Sequence, residues 1–412
     1  MGMNQKIFPF IGIPRIKIPI KASEVNSNTI AKYLPKIFAA HAQNEAKIDY
    51  CYNAYLGKHD ILTKTRLYSD DAGNNNKIVE NHFFAQVEFK KGYLLGNPKE
   101  YAQFIGKPNE QESGQTSESR KTDDIGFLQK YNSEQNLSSI DTDVTEFAYA
   151  TGVGYYFIIP KRDDFNPQYE APYEVYCQDP RNACKVYSSY IGEEELFDII
   201  FVHITDENNN KKIILSVYTK TQYMEFTTDL LGGSFELTTQ PEPRIFKDLP
   251  LVEKYFHRQR ISITELGLTI QNAIDLLTSG SLDAFIDNAN SILALMNVDI
   301  DSETTEQKLE AFQKMKKSGL FLLKTNNPAA PADIKQLSNS INHKDINVKY
   351  ENLIKVMYDT VGVPLSSGNV TSGGDTGQAR LLGNGWENAY TIILKDIRSL
   401  IRADKKLLKK ML

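Results

Sequence analysis

The stretch from Thr264 to Val298, TELGLTIQNAIDLLTSGSLDAFIDNANSILALMNV, decides how the rest of the chain is read. Its apolar positions Leu266, Ile270, Ile274, Leu277, Phe285, Ile292 and Met296 keep a helical period, and no proline interrupts them. The spacing predicts one helix of about 35 residues, a rod roughly 50 Å long. The usual globular helix has about 11 to 12 residues. A second amphipathic run follows at Lys344 to Val361, with Ile346, Tyr350, Leu353, Ile354 and Met357 on one face. Asn342 and Asp345 signal its start, and Gly362 with Pro364 its end. Between the two rods, Glu303 to Lys317 reads as a charged helix, Leu320 to Lys324 as a strand and Asn326 to Pro331 as a turn.

The first rod carries charge of one sign. From Ile261 to Gln307 there is no Lys or Arg, whereas Glu265, Asp275, Asp283, Asp287, Asp299, Asp301, Glu303 and Glu306 are all acidic. Residues 308 to 355 reverse this, with nine Lys against four acids, and residues 380 to 412 hold eight bases against three acids. A one-signed helix face is most simply a solvated face. It also costs self-repulsion, which a conduit for a polyanion or a basic partner segment would each explain. Charge alone leaves both open.

After the second rod, residues 362 to 377 contain Gly362, Gly368, Gly373, Gly374 and Gly377 with Ser366, Ser367, Thr371 and Ser372. This is flexible backbone joining two long helices. Asp375 and Gln378 imitate a capping box for a third long helix. Its stripe is Leu382, Trp386, Ala389, Ile393, Ile397 and Leu400, and Gly383 and Gly385 predict a bend near its start.

Upstream, Asn26 to Tyr55 reads as a helix interrupted at Pro35, and Val79 to Leu94 as a second helix stopped by Gly96 and Pro98. Residues 105 to 124 read as a polar surface loop, and helical pattern resumes at Ile125 to Tyr131 and Thr142 to Tyr149. Then the period changes. Val153 to Pro160, Leu196 to Ile204, Lys212 to Thr219 and Gln222 to Thr227 are short β-branched or aromatic runs, with Phe235 to Leu237 as a candidate edge strand. The expectation is an antiparallel sheet region over about 153 to 245, in a chain of α+β class.

Composition excludes several functions. The chain of 412 residues has a formal charge of −5, which argues against a basic coat that binds nucleic acid by neutralising phosphates. No window of about 18 apolar residues exists. Pro9, Arg15 and Lys17 break the N-terminal apolar run, unlike a signal peptide. Three cysteines, Cys51, Cys177 and Cys184, without a CxxC pair, suit reduced thiols, although a bridge between the last two is conceivable. No two of the six His stand at a metal-ligand spacing on a helix, so no metal site is expected. Gly374 stands where a phosphate-binding loop after Gly368 and Gly373 needs Lys. The acidic turn at Asp70, Asp71 and Gly73 lacks the alternating ligands of a calcium loop. The chain therefore reads as a non-enzyme without cofactors, against the rival of an enzyme with a dispersed site.

Four strings, in order, carry a family resemblance: YLGKHDIL at Tyr55 to Leu62, VENHFFAQVEFKKGYLLGNPKEY at Val79 to Tyr101, LPLVEKYFHRQR at Leu249 to Arg260 leading into the acidic helix, and GGDTGQARLLGNGWENA at Gly373 to Ala389. With these the chain, from about residue 30 to 400, resembles tailed-bacteriophage portal proteins of the SPP1-like type. The resemblance implies a portal-type fold that assembles into a ring, usually of twelve subunits, at one vertex of the capsid, with double-stranded DNA entering and leaving through a central channel. It divides the chain into a wing (1–263, β-rich over 153–245), a stem helix (264–298), a small α/β clip (299–341), a second stem helix (342–362), a tunnel loop (363–377) and a long wing helix (378–412) with little or no crown.

The resemblance also implies partners and site residues. The clip would receive the terminase large subunit and later a head-completion or adaptor protein. Major capsid and scaffolding proteins would surround the ring, and no membrane is involved. Assembly in the host cytoplasm would place the protein in the virion. Ser366, Ser367, Gly368, Asn369, Thr371, Ser372, Gly373, Gly374 and Asp375 would face DNA in the tunnel loop. Glu265, Asp275, Asp283 and Asp287 would line the channel, and Lys308, Lys314, Lys316 and Lys317 would meet an acidic partner face. The rival within virions is another ring-forming protein without DNA contact.

Overall fold

The computed structural model describes residues 12–64, 75–101, 124–161, 165–166, 170–205, 209, 211–230, 233–289, 292–296, 298–299, 306–307, 309–310, 313–314, 324–325, 333–337, 343–365 and 386–411. It contains helices and sheets, in two compact units. One comprises residues 1–59, 80–271 and 354–412, and the other residues 60–79 and 272–353.

In the larger unit, helix α1 (Ser27–Tyr55) starts at Asn26, whose side chain accepts from Thr29 N–H at 2.9 Å. Pro35 does not interrupt it, contrary to the sequence expectation. Its ring is exposed while Ile30, Leu34 and Ile37 are buried, so core packing offsets a penalty of about 3 kcal/mol. Those three residues cover a sheet ordered β1 (Ile16–Ile18), β4 (Ala183–Ser188), β5 (Glu195–Thr205), β6 (Lys211–Thr219), β7 (Gln222–Asp229) and β8 (Glu236–Pro243). The inward residues alternate along the strands: Phe197, Ile199 and Phe201 on β5, and Ile213, Leu215 and Val217 on β6.

The sheet is not wholly antiparallel. β1 joins β4 in parallel, with Ile16 opposite Val186. The expected region is also two sheets rather than one. β2 (Gly154–Pro160) pairs with β3 (Tyr173–Gln178) on one side and β9 (Leu251–Lys254) on the other. Sequence reading missed β1, β3, β4 and β9 because strands of three to six residues give too few positions for a period. This second sheet packs on α4 (Leu137–Ala150) and on Leu407 of the last helix, α7 (Trp386–Met411). Helices α2 (His82–Leu95) and α3 (Asp124–Glu134) complete the upstream helical part.

The two rods are present, but the first is shorter than expected. α5 (Ile263–Ala289) ends nine residues before Val298, and α6 spans His343–Val361. Beyond α5, β10 (Ile292–Met296) pairs antiparallel with β13 (Asp333–Leu337). Asn288 and Asn290 are poor helix formers. The apolar run beyond them is also compatible with a strand, and a partner strand decides. A short ladder between β11 (Val298–Asp299) and β12 (Lys324–Thr325) sits in the same insert, and residues 306–307, 309–310 and 313–314 are helical. The capping pair Asp375 and Gln378 and the bend at Gly383 and Gly385 lie outside the described residues. All three cysteines are free.

Candidate functional site

The acids of the first rod do not share one environment. In the larger unit, Glu265 stands in the first turn of α5 and accepts from Gly12 N–H at 2.9 Å. Neighbouring residues fix this end of the helix. Gly267 leaves space for Phe83 and for Met357 of α6, and Gln86 Nε2 donates to the Met357 carbonyl at 3.4 Å.

In the smaller unit, Asp275 has no exposed surface and Asp283 is 7% exposed. Asp283 Oδ1 accepts from both Asn76 N–H at 3.0 Å and Asn76 Nδ2 at 2.7 Å. One turn earlier, Ser279 Oγ accepts from Ile78 N–H at 2.9 Å. The segment before α2 is therefore stitched to this face of α5 by polar side chains. The helix reaches Asp287, whose side chain is outside the described set.

The opposite face of the same part of α5 is apolar and open. Ala273, Leu277, Gly280 and Ala284 border a groove with Ile346 and Leu353 of α6, while Leu276 and Phe285 are more than half exposed. Sequence reading placed Phe285 on the helix stripe and gave no hint that it is uncovered in a single chain.

Of the clip lysines, Lys314 is exposed on a helical segment, and Lys308, Lys316 and Lys317 lie outside the described residues. All nine tunnel-loop residues, Ser366 to Asp375, lie outside them too. The flanks of that loop are described. Val361 and Val363 are buried in a cluster with Tyr55, Val87, Tyr149 and Ile263. Gly362 between them adopts φ +69°, a left-handed conformation that favours glycine.

The last helix is fastened by buried charge that sequence reading did not assign. Lys90 Nζ lies 3.2 Å from Asp396 Oδ2, which also accepts from Tyr149 OH at 3.0 Å. Burial pushes the Lys90 ammonium down from its usual range, and Asp396 partly restores it. Two turns on, Lys99 bridges Asp404 at 2.7 Å and Asp141 at 2.6 Å. Asp141 accepts from Tyr156 OH at 2.8 Å, and Lys254 donates to both Tyr156 OH and Thr145 Oγ1. Burial pushes the Lys254 ammonium down to about 7. The signal was available. Asp396 and Asp404 fall among Ile393, Leu400, Ala403 and Leu407 in an otherwise apolar stripe.

Among the described residues no cluster of His, Cys, Asp and Glu could hold a metal ion, and no helix is long and apolar enough to cross a membrane. His41 and His59 are core residues. The first stacks on Phe201 at 4.2 Å with Nε2 2.8 Å from the Arg181 carbonyl oxygen, and the second lies 3.1 Å from that of Ala54.

Comparison with known proteins comes from two directions. No curated protein matches the chain. A solved structure titled as the neck of an empty GTA particle, computed with C6 symmetry, aligns at 12% identity and a TM-score of 0.40 over 71% of this chain and 70% of that one. The family model described as phage portal protein, SPP1 Gp6-like, matches residues 34–379, and the chain belongs to that family.

Proposed function

We propose that the protein forms a ring, usually of twelve subunits, that serves as the DNA channel at one capsid vertex. Family membership over residues 34–379 is the observation that carries this reading. In it, α5 and α6 form the stem, residues 299–341 the clip and residues 363–377 the tunnel loop. DNA would pass during packaging and ejection, and the terminase motor and head-completion protein would dock on the clip. Capsid and scaffolding proteins would surround the ring, placing it in the virion after assembly in the host cytoplasm.

The open groove and the exposed Leu276 and Phe285 support a ring, because apolar helix faces of this kind are ordinarily covered by a partner. The base-free helix supports a conduit, since a wall without cations does not hold phosphates. Burial removes Asp275, and most of Asp283, from direct contact with a duplex. Of the described acids the proposal therefore keeps Glu265, in the first turn of α5, for the wall, and it adds Asp287 on its place in the sequence alone. Lys314, with Lys308, Lys316 and Lys317, would offer cations to an acidic face of the motor.

Negative-stain imaging of the purified chain tests the ring: annular particles with a central hole are expected, and dispersed single chains at high concentration contradict it. A pull-down with Lys314→Glu and Lys316→Glu tests the clip, where unchanged motor docking would remove these lysines from the proposal.

A further inference from the structure

The last helix sorts its charges in an unusual way. From residue 395 onward α7 carries seven bases, Lys395, Arg398, Arg402, Lys405, Lys406, Lys409 and Lys410, and two acids, Asp396 and Asp404. Both acids face the core, where Lys90 and Lys99 neutralise them. Two of the bases are also committed, Lys406 to Glu195 at 2.7 Å and Lys410 to Asp248 at 3.0 Å.

The other five stand at spacings of three, four, three and four residues, which on an α-helix is a single straight file. All five are exposed. Lys395, Arg398, Lys405 and Lys409 make no ion pair among the described residues. Arg402, at the centre, is held by its neighbour. Its guanidinium lies 4.0 Å from the Tyr255 ring centroid and donates to the Tyr255 carbonyl at 3.2 Å. The file runs about 21 Å along the helix.

We propose that this ridge binds the phosphate backbone of duplex DNA, without sequence preference. This rests on the portal reading for the presence of DNA, and goes beyond it by assigning a surface that holds DNA rather than lets it pass. A duplex presents phosphates along its backbone at intervals that a file of cations of this length can follow. An acidic protein helix is the other polyanion to consider. It would need a matching apolar seam along the whole ridge. The exposed apolar residues beside it, Tyr390, Leu394 and Ile401, stop short of Lys405 and Lys409, so charge is the continuous feature.

The test uses the purified full chain and a fluorescently labelled 30-base-pair duplex, titrated at several salt concentrations. The variant carries Lys395→Glu, Arg398→Glu, Lys405→Glu and Lys409→Glu, and a control carries Lys32→Glu and Lys36→Glu on exposed positions of α1. The wild type and the control should bind with a steep salt dependence. The fourfold variant should lose at least about tenfold in affinity at low salt, and its log–log salt slope should fall by about three to four.

Equal affinity in wild type and fourfold variant overturns the proposal. So does a ridge that binds an acidic amphipathic peptide while ignoring the duplex. Ring mass is measured on the same samples. An intact ring with unchanged DNA affinity overturns the ridge and leaves the portal reading standing. Absence of a ring overturns the portal reading, and the affinity comparison then judges the ridge on its own.

Discussion

Lys90 and Asp396 form an ion pair 3.2 Å long across 306 positions of sequence, and each side chain is only 5% exposed. It links α2 to α7, and Tyr149 of α4 completes it. A buried pair of this kind specifies where the last helix sits more than it adds stability, because desolvation offsets most of its attraction.

Removing one partner should therefore cost far more than removing both. Asp396→Ala leaves an uncompensated buried ammonium, and urea denaturation should show a loss of about 3–5 kcal/mol. The double variant Lys90→Met with Asp396→Leu should be considerably less destabilised. Equal losses in the two would show that the pair is not buried as described.

Lys254 links stability to pH. Its folded value near 7 lies below the ordinary lysine value of 10.5, because burial disfavours the charged form. The unfolded chain thus binds more protons between those values, so stability rises with pH there and is lost as pH falls toward 7. Denaturation midpoints between about pH 7 and 9 should increase, and Lys254→Met should flatten that increase. An unchanged slope in the variant would assign the effect to another group.

Gly362 should not tolerate a side chain. An added Cβ would overlap Cδ1 of Ile392, and the left-handed φ of +69° adds about 1–2 kcal/mol for any L-residue. Gly362→Ala should lower the melting temperature, and Ile392→Ala in the same chain should recover part of the loss, since it relieves the overlap but not the backbone strain. Full recovery would mean that the backbone term is absent.

Deleting Ser366 to Gly374 should leave ring assembly intact and impair DNA packaging in a reconstituted assay. Normal packaging by the deletion would contradict the tunnel-loop assignment.

The element order was legible wherever a period ran long enough. Helices α1, α2, α3 and α6 and strands β2, β5, β6 and β7 lie within about three residues of where the periodicity put them, whereas α4 starts at Leu137, five residues before the expected Thr142. What escaped depended on partners distant in sequence. Ile16 to Ile18 is a strand only because Val186 to Ser188 lies beside it. Residues 292–296 leave the helical pattern only because 333–337 pairs with them.

Charge was legible as a total along the rod, and misleading residue by residue. Asp275 and Asp283 count as acidic surface in a sequence window, yet both are buried. Conversely, Asp396 and Asp404 count against the basicity of the last helix, although the core has already neutralised them.

Native mass spectrometry of the purified chain tests the central claim most directly. The account predicts one dominant assembly near twelve times the 46.7 kDa chain mass, or a close neighbour such as thirteen. A stable monomer or dimer at high protein concentration would contradict it.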